Sequence, residues 1–349
     1  MTTKACVLHK QNDLRIDDIP IPDLQSGDVL VGMTHGGICG SDLHYYHDGG
    51  FGPVRVIDPI ILGHEVSGII EAIGADVDTL QIGDRVAVSP SQPCFKCEHC
   101  HREEFQHCSN MRFMGSARTI PHVQGGFCSK MVTGQDQCFK VSKDTSLADA
   151  ACAEPLAVCL HAAAQAGRLE GKKVLVTGAG PIGALCVAVA KMKGAQSIVV
   201  TDLFDFTLNV AKKMGATKTI NIGAHSEGVA EHIAVHGPFD LVFECSAAEP
   251  AILSAIGAVR PRGTIVQVGV AGSLSLPINA IVGKEINFRG THRFHPEFEE
   301  AVDLIDRSVI DVTPIITQSF PLGDVVEAFR TAANREKAVK VQLKLDSMS

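Results

Sequence analysis

The chain has 349 residues and no tryptophan, and its only two tyrosines, Tyr45 and Tyr46, are adjacent. They are expected in a polar loop beside other candidate site residues, an odd place to spend all of a chain's tyrosine. No uninterrupted apolar stretch approaches the roughly 20 residues that span a bilayer, so a membrane partner is not expected. Residues Met1 to Lys10 lack the charged start and apolar core of a secretory signal, and a cytoplasmic protein is expected. Long runs of Lys or Arg are missing too, and the formal net charge is −8. Without a basic footprint, nucleic acid is excluded as the main partner. Internal repeats and low-complexity tracts are also absent.

What the chain does have is cysteine, 12 in all. A cytoplasmic compartment keeps thiols reduced, so these do not read as disulfides. Cys94, Cys97, Cys100 and Cys108 follow the spacing C-x2-C-x2-C-x7-C. Four thiolates grouped this tightly match the closed sulfur shell of a structural zinc site. Cys6, Cys128, Cys138, Cys152, Cys159, Cys186 and Cys245 sit in apolar or mixed surroundings and read as small core residues. A structural metal does no chemistry, so a second site must be sought elsewhere.

The length allows about two domains. Through residue 150, short β-like runs (Asp28–Met33, Val66–Ile73, Arg85–Ser89) are punctuated by Gly, Pro and Asp, predicting a compact β-rich unit. From Gly171 the pattern becomes strand–helix alternation. Strands are predicted at Lys172–Thr177, Ser197–Asp202, Lys218–Ile222, Phe239–Cys245, Thr264–Val270 and Glu285–Gly290. Helices are predicted at Pro181–Gly194 and Leu208–Gly215. This predicts an α/β fold with a doubly wound parallel sheet. A helix at Pro296–Ser308 and a strand at Val339–Leu345 should rejoin the first domain. The expected division is 1–155 with 291–349, and 156–290 between them.

The first strand of the alternating region runs into Gly178-Ala-Gly180-Pro181-Ile182-Gly183, a G-x-G-x-x-G sequence opening a helix. Gly178 permits the tight turn, Gly180 lets backbone approach a pyrophosphate, and Gly183 allows close helix–strand packing. The next strand ends at Asp202, placed to accept hydrogen bonds from a ribose. A 2′-phosphate would be repelled there, so NAD is expected over NADP. Val268 and Val270, at the end of a later strand, complete the expected cofactor set with Pro181 and Ile182.

Cys39 lies in GGICGSDLH and His64 in Gly63-His64-Glu65. Thiolate and imidazole are good zinc ligands, and a catalytic zinc takes three protein ligands and water. The third could be Glu65 or Glu154. Neighbouring side chains of an extended segment point apart, so His64 and Glu65 share a metal only if the backbone bends. Glu154 precedes Pro155, which favours extended backbone at the glutamate. An unpaired carboxylate in that apolar setting would be costly.

GGICGSDLHYY, GHE, the four-cysteine lobe, AEPLAVCLHA and GAGPIG stand in the order found in the zinc-dependent medium-chain alcohol/polyol dehydrogenases. The resemblance covers essentially the whole chain. It implies a GroES-like catalytic domain, a Rossmann NAD-binding domain, and two zinc ions per subunit, one catalytic and one structural. It also implies a homo-oligomer, dimer or tetramer. By the same resemblance Cys39, His64 and Glu65 are catalytic-metal ligands, and Glu154 is a ligand or holds water there. Asp42 orients His64, Ser41 holds the reacting hydroxyl, and His44 carries its proton outward. Tyr45 and Arg293 contact substrate. One departure stands out: Thr207 occupies a position that is arginine in sorbitol dehydrogenases, which further weakens the case for NADP.

The segments SDLHYY, Met111–Ala117, Pro121–Gly126 and the stretch around Arg293 resemble the L-idonate-oxidising branch. The implied reaction is reversible oxidation of a secondary alcohol of a polyol or sugar acid, L-idonate to 5-keto-D-gluconate first of all. Sorbitol, xylitol and L-threonine are the alternatives. A sugar acid needs a cation for its carboxylate, and Arg112 and Arg118 flank a glycine in the lobe's wake, with Arg112 the expected choice. A non-enzymatic zinc scaffold is the reading from another class, and it leaves Cys39, His64 and Glu154 without a purpose.

Overall fold

A computed structural model describes residues 1–270 and 272–346. Six strands between residues 173 and 290 pair in parallel. Their order is Lys218–Asn221, Ser197–Asp202, Lys173–Thr177, Phe239–Glu244, Val259–Gln267, Asn287–Gly290. The central strands read KVLVT, SIVVTD and FDLVFE, near-continuous β-branched and apolar runs, because both faces of the sheet are covered. Leu175, Val199, Val242 and Ile265 fill one face, and Val174, Val176, Val200 and Phe243 the other. The order reverses between Lys173–Thr177 and Phe239–Glu244, and that reversal opens a crevice at the carboxyl ends of the strands.

The rest of the chain builds a second sheet around the long strand Asp28–Gly37, flanked by Glu65–Ile73, Lys130–Gly134 and Lys340–Lys344. The last of these pairs in parallel with Ile316–Pro321, and its other neighbours run antiparallel. A hairpin, Thr2–Lys10 with Asp13–Pro20, lies alongside.

Two local expectations change. The polar segment holding both tyrosines is a helix, Gly40–Asp48, so Tyr46 turns inward and packs its ring 5.5 Å from that of Phe329. Glu154 is not extended: it sits in the first turn of a 14-residue helix, Ala153–Ala166. Pro155 is tolerated there because a first-turn N–H has no intrahelical partner to lose. That helix runs past residue 155, and helix Glu297–Asp306 packs against it. Phe294, Phe298 and Ile305 thereby join the apolar core of Leu156, Leu160 and Leu185. Among the described residues, no helix is long and apolar enough to cross a membrane.

Candidate active site

Cys39 is the N-cap of helix Gly40–Asp48, while His64 and Glu65 head strand Glu65–Ile73. Their ligand atoms all lie within 4.8 Å of one another. The backbone bend this requires is made at Gly63, which has φ +94°. A Cβ there would also sit 2.2 Å from the Phe127 ring, so only glycine turns the chain at this point. Asp42, fully buried, ties the two segments together. It accepts from the Cys39 amide (3.0 Å) and the Gly63 amide (3.3 Å), and its carboxylate lies 3.7 Å from His64 Nδ1. Burial works against a charged His64, but Asp42 and Cys39 outweigh it and push the imidazole well above its usual range.

The sequence reading missed Lys340. Its ammonium, 2% exposed, reaches both Glu65 carboxylate oxygens at 2.7 Å and the Ile38 carbonyl at 3.1 Å. A Cβ on Gly37 would stand 2.0 Å from Glu65 Oε2, so that glycine makes room for the carboxylate. The only signal in the sequence is one lysine among the apolar residues Ala338, Val339 and Val341. Glu154 is buried and lies outside the triplet. Burial raises its carboxyl to about 7, with Glu65 adding and His64 and Lys340 opposing.

Ser41 and His44 stand one helical turn apart, a spacing that puts them on the same face. His44 is exposed, with Nδ1 2.8 Å from Asp48 and its ring stacked on Phe51. Tyr45 is buried, and its hydroxyl accepts from the Ala117 amide at 3.3 Å. Phe113 faces the centre: its ring is 5.8 Å from that of His64, and the Arg293 guanidinium lies 4.0 Å above it. Arg293 holds a left-handed backbone (φ +53°), and its buried Nη1 meets no hydrogen-bond acceptor. Burial lowers this guanidinium to about 10, and Arg118 pushes it the same way. Arg112 does not belong to this group. It shares a two-residue strand with Phe113, so their side chains point to opposite sides; Phe113 goes inward and Arg112 is exposed. The cation near Arg293 is Arg118.

The sulfur atoms of Cys94, Cys97, Cys100 and Cys108 also lie within 4.8 Å of one another. Amides of Cys94 and Asn110 point at Cys108 Sγ (3.2 and 3.4 Å). Amides of Cys100 and Ser109 hold Cys97 down at about 5. Donors converging on sulfur favour thiolates, as a four-sulfur zinc site demands.

At the crevice, Gly178 has φ +87°, and a Cβ on Gly183 would come within 1.8 Å of the Gly178 carbonyl. Nothing lies within 4 Å of the Cβ position on Gly180, which caps helix Pro181–Met192 and leaves its amides free for phosphate. Asp202 accepts from the Ala179 amide at 2.6 Å and stands beside this loop. Thr207 is buried and donates to the Phe204 carbonyl, so that position offers no cation. Val268 packs on the core next to the loop, while Val270 is exposed beyond it. Arg335, half-buried, donates through Nη1 to the Val339 carbonyl at 3.0 Å, and burial lowers its guanidinium while Cys39 and Asp202 pull the other way. Sequence reading had not singled it out.

Two family descriptions match: "Alcohol dehydrogenase GroES-like domain" over residues 25–143 and "Zinc-binding dehydrogenase" over residues 181–307. The chain is 39% identical to L-idonate 5-dehydrogenase (NAD(P)(+)) of Escherichia coli K12, over 98% of both chains. The crystal structure of that enzyme superposes with a TM-score of 0.94, covering 99% of this chain and 98% of the other at 38% identity. Sorbitol dehydrogenase of Bacillus subtilis is 34% identical, over 97% of this chain and 96% of its own. An alcohol dehydrogenase of E. coli CFT073, solved with NADH, gives a TM-score of 0.88 at 27% identity, with 98% and 99% coverage. Sheet order, glycine loop, thiolate lobe and whole-length similarity agree: the chain belongs to the zinc-dependent medium-chain alcohol dehydrogenase family, whose members carry zinc and a nicotinamide dinucleotide.

Proposed function

We propose that the protein oxidises a secondary alcohol of a sugar acid to a ketone with NAD, L-idonate to 5-keto-D-gluconate being the preferred reaction, in either direction. The observation that carries this is the Arg293 guanidinium, unpartnered and placed on Phe113 beside the Cys39–His64–Glu65 triplet. A neutral polyol offers such a cation only hydroxyls, whereas a carboxylate satisfies it with charge-assisted hydrogen bonds. Arg118 is a second positive charge that Arg293 feels.

In this reading Cys39, His64 and Glu65 hold the catalytic zinc, with Glu154 beside it, and the four-cysteine lobe holds the structural one. When bound, the zinc supplies Lewis acidity and the dinucleotide accepts the hydride. Ser41 holds the reacting hydroxyl and passes its proton towards His44, whose exposed ring hands it to water. Asp42 keeps His64 in register, Lys340 neutralises Glu65, and Tyr45 closes the substrate pocket. Asp202 binds the ribose hydroxyls and disfavours a 2′-phosphate, so NAD is preferred to NADP. The work divides between 1–155 with 291–349 and 156–290. The enzyme acts in the cytoplasm as a homo-oligomer, a setting consistent with twelve free thiols.

The test is NADH formation by the zinc-loaded enzyme on L-idonate, sorbitol, xylitol and L-threonine. L-Idonate should give the highest kcat/KM. Arg118→Ala should lower it about 10- to 100-fold, the worth of one charged hydrogen bond, and Arg112→Ala should leave it unchanged. Equal activity on sorbitol would overturn the sugar-acid reading.

A further inference from the structure

Three thiols from three elements meet behind the glycine loop, and the proposed chemistry uses none of them. Cys159 lies on helix Ala153–Ala166, Cys186 on helix Pro181–Met192, and Cys245 directly after strand Phe239–Glu244. Cys159 donates to the Ile182 carbonyl at 3.3 Å, inside the glycine motif itself. Cys245 Sγ stands 3.9 Å from Cys186 Sγ. Their access to solvent differs: Cys159 and Cys186 are buried, while Cys245 is partly exposed. A thiol on a half-buried residue thus abuts one on a buried residue.

We infer that Cys186 and Cys245 form an oxidisable dithiol whose reagent is a hydroperoxide and whose cross-link weakens dinucleotide binding. The Cys245 sulfur attacks the peroxide O–O bond, giving a sulfenic acid and releasing an alcohol, or water when the peroxide is hydrogen peroxide. The Cys186 sulfur then displaces hydroxide from the Cys245 sulfur, forming the S–S bond. The hydroxide leaves as water with the Cys186 proton. In all, two thiols lose two electrons and two protons, and the peroxide is reduced.

The structural consequence follows from what adjoins Cys245. An S–S bond is about 2.05 Å long, so the two sulfurs must close most of their 3.9 Å separation. The next residue, Ser246, has its amide nitrogen 3.0 Å from the Cβ position of Gly178. Ser246 and Ala247 amides are also held by the buried Glu244 carboxylate at 2.9 and 3.1 Å. Drawing Cys245 towards the helix therefore moves the turn that backs the glycine loop. By linkage, the factor by which the cross-link weakens dinucleotide binding is the factor by which bound dinucleotide resists the cross-link.

The experiment treats the zinc-loaded enzyme with hydrogen peroxide, with and without saturating NAD. Cross-linked peptides, zinc content and NAD affinity by fluorescence titration are then measured. A Cys186–Cys245 peptide, zinc fully retained, NAD affinity down at least about fivefold, reversal by a dithiol reductant and protection by NAD are expected. Cys245→Ser and, separately, Cys186→Ala should each abolish the loss. A cross-link between Cys159 and Cys186, loss tracking zinc release from the lobe, or undiminished sensitivity in either variant would overturn the inference. Because the readout is NAD binding, the result is independent of which alcohol is the substrate.

Discussion

Lys340 shows how much rests on one side chain. Its ammonium is the partner of a carboxylate buried between the two ligand-bearing segments. Lys340→Met would leave Glu65 charged and unpaired, at a cost of about 3–5 kcal/mol. Urea unfolding should show that loss, and zinc bound at Cys39 and His64 should fall with it. Retention of both stability and metal would mean that Glu65 is neutralised from elsewhere. Asp202 makes a different prediction because one of its oxygens accepts from the glycine loop while the other accepts from the Leu203 and Phe204 amides. Asp202→Ala should weaken NAD and improve NADP, measured as the ratio of their KM values; an unchanged ratio would remove it from the cofactor site.

Glycine and charge positions shape the elements. Gly183→Ala places a methyl 1.8 Å from the Gly178 carbonyl, so the helix must back away from the strand. NAD affinity should be lost, with circular dichroism and bound zinc little changed. Helices Ala153–Ala166 and Glu297–Asp306 are joined by His161 Nδ1 and Glu297 Oε1 at 2.7 Å. Burial raises the Glu297 carboxyl, but His161 outweighs it and the net shift is below the usual 4.5. The folded state therefore binds fewer protons, and this stabilisation is present above 4.5 and fades as pH falls through the lower folded value. Glu297→Gln should cost about 1–2 kcal/mol at neutral pH, and the difference should shrink as the medium is acidified below the usual carboxylate range, as read from urea midpoints. A constant difference across that range would show that the pair does not titrate as described.

At the scale of the molecule, the cysteine lobe and the substrate side are mechanically joined. Phe105 packs its ring 4.8 Å from that of His295, and His107 stacks 5.9 Å from His292, on either side of Arg293. Removing the lobe's metal with Cys97→Ala should therefore raise the KM for the sugar acid more than the KM for NAD. Equal effects would indicate general unfolding, which a thermal melt would reveal. The lobe's aromatic rings thus brace the residues on either side of Arg293.

Much of this was legible in order along the chain. The parallel sheet showed in apolar runs alternating with helical periods, since a strand buried on both faces has few other compositions. The glycine loop, the thiolate lobe and the candidacy of Cys39 and His64 were legible because turn geometry and metal chemistry restrict residue type at short spacing. The direction of Arg112 could not be read because a two-residue strand gives no periodicity from which to read its face. Lys340 went unseen because its partners Ile38 and Glu65 lie far away in sequence, and nothing local distinguishes a buried cation from an exposed one. Residue chemistry by itself determined the ligand types, the cofactor loop and the sheet. Tertiary structure alone decided which carboxylate joins Cys39 and His64, which aromatic ring Arg293 lies on, and which thiols meet, because long-range packing sets the distances between segments.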